Sequence, residues 1–181
     1  MANETRATKC FGVRGRMRIG RMPILSTTTF KVGDYLISHT TGELKVYAAE
    51  DAPVAATSGV DNRVFGRALE DSHDENNTVK TAVSFIIAEP GTEFEVPIYH
   101  ATQASAVAVP ADQILTSYEL YNVNNVPSVD ISETTDLKCQ IKDYNSEDLP
   151  TWPGAITAGT VLNPRVWIEF LPAHSFTSVA S

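Results

Sequence analysis

Proline or glycine punctuates this chain at intervals of roughly ten to fifteen residues, too often for long helices and well suited to short strands joined by turns. Few segments place apolar residues at i, i+3, i+4 and i+7, whereas several alternate apolar with polar residues. The chain therefore reads as all-β. The expected architecture is a small body resembling a β-barrel or β-sandwich, preceded by an extended N-terminal arm.

Individual strands follow from the same signals. Segment 30–39, FKVGDYLISH, alternates Tyr35 and Ile37 against Asp34, Leu36 and Ser38; Thr41-Gly42 supplies a turn, and Leu44, Val46 and Ala48 return on one face as a hairpin. NRVFGRALED carries a glycine break at Gly66 and runs into the acidic turn DSHDENN. TVKTAVSFIIAE, rich in β-branched and aromatic residues, is the strongest predicted strand, and Pro90-Gly91 turns it into EFEVPIYH. After residue 100 the text changes to ATQASAVAVPADQ, small and low in charge: a linker, a strand of small side chains, or a segment packed on a neighbouring subunit. SYELYNV, VPSVDI, DLKCQIKDY and RVWIEFL then read as further strands, with Leu137, Cys139 and Ile141 facing inward and Lys138, Gln140 and Lys142 facing solvent. The tail HSFTSVAS is expected to fray. The expected organisation is an arm over 1–29, a barrel-like domain over 30–100, and a second β-rich region over 101–181 packed on the first.

Charge divides the chain unevenly. With 14 basic and 22 acidic side chains the net charge is −8, yet residues 1–21 hold Arg6, Lys9, Arg14, Arg16, Arg18 and Arg21 against Glu4 alone. That is a formal +5 at the front, leaving −13 for the rest. An acidic body repels phosphates, so direct nucleic-acid binding is not expected. Glycines 12, 15 and 20 space the cations, and Met17, Ile19, Met22, Pro23, Ile24 and Leu25 add apolar anchors. Such a segment suits a clamp on a polar or acidic partner. No apolar run is long enough for a membrane helix, and the basic start lacks the apolar stretch of a secretory signal. Cys10 and Cys139 read as two free thiols of a protein folded in the reducing cytoplasm.

Catalytic and metal patterns are absent from the text. Histidines 39, 73, 100 and 174 include no closely spaced ligand pair, and His73-Asp74-Glu75 lacks the spacing of a dedicated cation loop, so it reads as a solvated acidic turn. Neither a G-x-S-x-G elbow nor a phosphate loop occurs. Glu93 and Glu95 would share one strand face, as a glycosidase pair does, without sign of a cleft. The expectation is no enzyme, no metal and no cofactor. Tyr118 with Tyr121, or Trp152 with Trp167, are candidates for a sugar platform; Trp152, Trp167 and Phe170 read more readily as core or subunit-interface anchors.

One resemblance adds to this reading. GDYLISHTTGELKVYAAED followed by VFGRALEDS resembles the opening of the small capsid decoration, or cement, proteins of tailed bacteriophages. There a Gly-Asp-hydrophobic strand, a glycine turn, a Val/Lys-rich return strand and a Gly-x-Ala-Leu-Glu strand recur. Here the matching positions are Gly33, Asp34, Tyr35 and Leu36; Gly42; Lys45 and Val46; and Gly66, Arg67, Ala68, Leu69 and Glu70. The resemblance covers roughly 30–100, while 101–181 match no pattern of that family. It implies a β-rich body of β-tulip type, often trimeric and without catalytic residues, that sits on the capsid exterior and ties major capsid subunits together through a terminal arm. The expected partners are then the major capsid protein and further copies of the chain in a homotrimer, with no membrane. The expected location is the virion surface, after assembly in the host cytoplasm. The capsid-gripping residues would be Lys9, Phe11, Arg14, Arg16, Arg18, Arg21 and Met22. Two other readings compete: a head-fibre or tail subunit with a receptor- or glycan-binding module, and a small β-barrel nucleotide hydrolase.

Overall fold

The computed structural model describes residues 12–39, 41–47, 64–99, 114–123, 126–132, 137–145, 162–172 and 175. Eleven strands follow in order: β1 (Val13–Gly15), β2 (Ile19–Pro23), β3 (Tyr35–Ser38), β4 (Leu44–Val46), β5 (Val64–Ala68), β6 (Ala82–Ile87), β7 (Thr92–Tyr99), β8 (Ser117–Val123), β9 (Val126–Asp130), β10 (Cys139–Tyr144) and β11 (Leu162–Phe170). No helix occurs among the described residues, and the all-β expectation holds.

The strands form a six-stranded sheet, β1-β7-β11-β10-β8-β9, and a five-stranded sheet, β2-β6-β5-β3-β4. β7 organises the first. One side of it pairs with β11; the other pairs antiparallel with β1 near its start, Val13 opposite Phe94, and parallel with β9 near its end, Ile98 opposite Val129. That last pairing closes β7, β11, β10, β8 and β9 into a five-stranded barrel, filled by the fully buried Phe94, Val96, Ile98, Leu120, Val129, Cys139, Ile141, Val166 and Ile168. In so apolar a place burial pushes the Cys139 thiol up, so it stays protonated.

The second sheet is covered on both faces. Tyr35, Ile37, Val64, Ile86 and Ala88 join the core of the barrel, while Leu36, Leu44, Ala68, Val83, Phe85 and Ile87 enclose a smaller core with Ile24 and Phe30. Tyr35 links the sheets, its ring edge-on to Phe94 at 5.5 Å and to Phe170 at 5.3 Å. Its curl brings opposite ends together, because Ile24 bridges Leu44 and the Leu25 N–H donates to the Leu44 carbonyl at 2.9 Å.

Several expectations change as a result. Leu36, expected on a polar face, is fully buried, since a strand packed on both sides reads as a continuous apolar run. Lys138, expected in solvent, is buried; of the two readings of Phe170, core or subunit-interface anchor, the structure gives the core, beside Tyr35. β7 ends at Tyr99 and belongs to the barrel built from the C-terminal strands, so the boundary near residue 100 falls at the end of a strand that those strands pair with. The basic segment is strand from Val13 onward, paired to β7 and then to β6, and is not a free arm through residue 29. Segment 101–113 and the tail beyond Ser175 lie outside the described residues.

Two glycines are demanded for different reasons. Gly42 turns β3 into β4 with φ +83° and open space around it. Gly66 lies where the β5 backbone crosses β6 so closely that a Cβ would sit 1.8 Å from the Ile86 carbonyl oxygen. Gly66→Ala should therefore destabilise the fold by about 3 kcal/mol or more, and Gly42→Ala by about 1 kcal/mol. Urea denaturation of the two variants checks the ranking.

A candidate binding ribbon at the sheet edges

Arg14, Arg16, Arg18, Arg21 and Met22 all fall on one ribbon, in which β1, a short link and β2 run from the edge of one sheet to the edge of the other. Lys9, Phe11 and Trp152 lie outside the described residues. Sequence reasoning grouped the arginines as one set of free cations; the structure separates them by what they touch.

Three of them meet the molecule's own carboxylates. Arg14 donates through Nε to Glu93 at 2.7 Å and through Nη1 to Asp143 at 3.2 Å, with its guanidinium 4.6 Å over the Trp167 ring. Arg18 donates to Glu89 at 3.1 Å, and Arg21 to Glu70 at 3.1 Å. Met22 packs against the smaller core. Arg16 differs: its side chain is exposed and has no ion pair among the described residues, while its backbone is held by Gly91 and Thr92. Beside it Met17 and Ile19 are 61% and 68% exposed. Among the described residues this puts two large apolar side chains and an unneutralised cation side by side in solvent.

The carboxylates beneath the ribbon are in part buried, which ties the ribbon to the fold. Glu95, 5% exposed, receives the Gly12 N–H at 2.6 Å, Arg165 Nη1 at 3.0 Å and the Asn145 amide. Glu89 is 8% exposed; its Oε2 takes Arg18, while its Oε1 lacks a hydrogen bond. Glu70 accepts from the Ser84 amide at 2.9 Å and from Lys80 and Arg21 at 3.1 Å. The Ser84 hydrogen bonds, followed by Lys80, hold its carboxyl down at about 2.

The ribbon's main chain has an inner and an outer side. The Ile87 N–H donates to the Arg18 carbonyl at 2.9 Å and the Ile24 N–H to that of Thr81 at 3.3 Å. The antiparallel alternation between these points turns the peptide groups of Gly20 and Met22 toward β6 and those of Ile19, Arg21 and Pro23 outward. Pro23, which has no N–H to offer, occupies one of the outward positions.

Other candidates resolve differently. Trp167 is half-buried under Arg14, Tyr118 lies in the core, and Tyr121 stacks on Tyr99 with centroids 5.2 Å apart. Glu93 and Glu95 share a face as expected, each joined to an arginine. Asp74 spends its carboxylate on the amides of Asn76 and Thr78. No cluster of three or more His, Cys, Asp or Glu suited to a metal occurs among the described residues, nor any helix long and apolar enough to cross a membrane. Comparison with protein families, characterised proteins and solved structures returns no match.

Sequence reasoning missed the clasp of Glu70, Glu89, Glu93, Glu95 and Asp143, whose members are scattered acids until the topology gathers them. Removing Arg18 leaves the buried Glu89 uncompensated, so Arg18→Ala should cost about 1–2 kcal/mol, whereas Arg16→Ala should stay within about 0.5 kcal/mol. Paired denaturant curves measure this. Because the Glu70 carboxyl is depressed in the folded state, its stabilisation is complete above its ordinary value of 4.5 and is lost as pH falls toward about 2. The loss should be of order 1–2 kcal/mol after allowance for solvent screening. Tm measured from pH 5 to pH 2 should fall less in Glu70→Gln than in the parent.

Proposed function

We propose that the chain is a structural, non-enzymatic component of a phage particle: a capsid decoration protein that seats on the outside of the head and ties major capsid subunits together, acting as a homotrimer. The observation that carries this reading is the exposed ridge of Arg16, Met17 and Ile19 on a molecule whose net charge is −8. Scattered exposed apolar residues are ordinary; two adjacent to a free cation on a sheet edge suit an interface. The resemblance of segments 33–51 and 64–72 to decoration proteins supports it independently. So does the closed, edge-poor body, which offers a particle surface little to aggregate through.

The mechanism is mechanical. Each ridge buries modest apolar area, worth roughly 25 cal/mol per Å2, and presenting three ridges from one trimer raises the effective concentration enough for firm attachment. Contacts made across several capsid subunits stabilise the assembled shell by mass action.

The structure also selects the test. Reversing Arg14 or Arg18 sets like charges beside Glu93, Asp143 and the buried Glu89, so lost binding would be confounded with lost fold. Arg16→Glu with Ile19→Glu alters the ridge alone. Co-sedimentation with expanded, undecorated capsids should show the parent chain bound and this double variant released, with unchanged circular dichroism. Failure of the parent to bind, or equal occupancy by both chains, overturns the proposal.

A further inference from the structure

We infer that the outer edge of β2 is a strand-addition site for an extended acidic segment of a partner protein. Strand addition needs an edge with unspent main-chain groups, side chains of matching pattern, and an approach that nothing blocks. Among the described residues β2 meets each requirement. It ends its sheet; the peptide groups of Ile19 and Arg21 point outward, and no hydrogen bond to another described residue engages them there. The side chains of Ile19 and Arg21 are exposed, while Gly20 is half-buried and Met22 packs on the smaller core.

Charge selects the occupant. Arg16, Arg18 and Arg21 flank Ile19, and the last two keep about 60% of their side chains in solvent despite their ion pairs. A strand laid along this edge meets Ile19 and Arg21 on one face and Arg18 on the other, so it is best matched by a segment that carries carboxylates and apolar side chains together on each face. A second β2 of the same chain would bring a second set of arginines to this edge, which disfavours two-fold self-pairing. Pro23 fixes the extent of the site: it offers no outward donor, so the added strand ends there. Arginines on an edge also guard against aggregation, but a purely protective edge has no use for Met17 and Ile19 at 61% and 68% exposure.

This inference rests on the decoration reading only for the identity of the protein that supplies the strand; the edge is a property of the chain. The test uses the full chain and three probes: a short synthetic peptide of Glu-Val-Val-Glu repeats, in which each strand face carries both residues, the same peptide with Lys for Glu, and anionic phospholipid vesicles. The Glu peptide alone should bind by fluorescence anisotropy and slow hydrogen exchange at the Ile19 and Arg21 amides. Arg21→Pro removes an outward N–H while leaving the β6 ladder intact, and Arg21→Ala removes only the side chain. The proline variant should bind roughly tenfold more weakly than the alanine variant, with equal Tm. No peptide binding, equal affinity of the two variants, or preference for vesicles overturns the inference. If capsids bind through the ridge and the peptide does not, strand addition falls and the decoration reading stands; the reverse result keeps the edge and removes the capsid.

Discussion

Every strand edge exposes peptide groups that must be paired, covered or defended, and this constraint arranges the molecule. The barrel meets it by closure, β9 returning to β7 beyond the point where β1 leaves off. The second sheet meets it by curling: at β4, the Leu44 carbonyl takes the Leu25 N–H and the Val46 N–H finds the Thr28 hydroxyl, so the loop after β2 covers that edge. What remains among the described residues is the outer side of the β1–β2 ribbon. That open side of the ribbon is also where the arginines are.

That coincidence explains why an acidic chain concentrates its cations at the front. A formal +5 over residues 1–21 does not become a surface of +5, because Arg14, Arg18 and Arg21 are answered by Glu93, Asp143, Glu89 and Glu70. The acids gain as much as the arginines: Glu89 and Glu95 are buried carboxylates that would be costly without a partner, and the ribbon supplies Arg18 to one and the Gly12 amide to the other. The basic segment is therefore first a structural clasp on two sheets. What the clasp leaves over for a partner is Arg16, Met17 and Ile19, with the solvent-exposed parts of Arg18 and Arg21 beside them.

Much of the architecture was legible because strand and turn signals are local. β-branched runs marked β6 and β7, Pro90-Gly91 marked the turn between them, and Thr41-Gly42 marked the hairpin of β3 and β4. Tertiary facts were not. Leu36 and Lys138 read as outward because alternation tells which residues share a face and not whether that face is covered. The ribbon read as a free arm because the carboxylates that hold it lie 49 to 129 residues away in sequence. Spacing along a chain carries no record of partners so distant.

The residues behind the decoration-protein resemblance turn out to be builders of the frame. Gly33-Asp34 shapes the entry to β3, the Asp34 carboxylate accepting the Lys31 N–H at 2.8 Å and its carbonyl the Ala68 N–H at 2.8 Å. Gly66 lets β5 approach β6, Arg67 is buried over the Phe94 ring, and Glu70 fastens Arg21. A motif of this kind reports how a body is put together, and two proteins can share it while gripping different partners. Recognition has to be read where the frame imposes no requirement on the side chain. On this molecule the ridge at Arg16, Met17 and Ile19 is such a place. Among the described residues it combines a cation without an ion pair, exposed apolar surface and, at Ile19, an outward peptide group without a hydrogen bond, the three things an added partner can use.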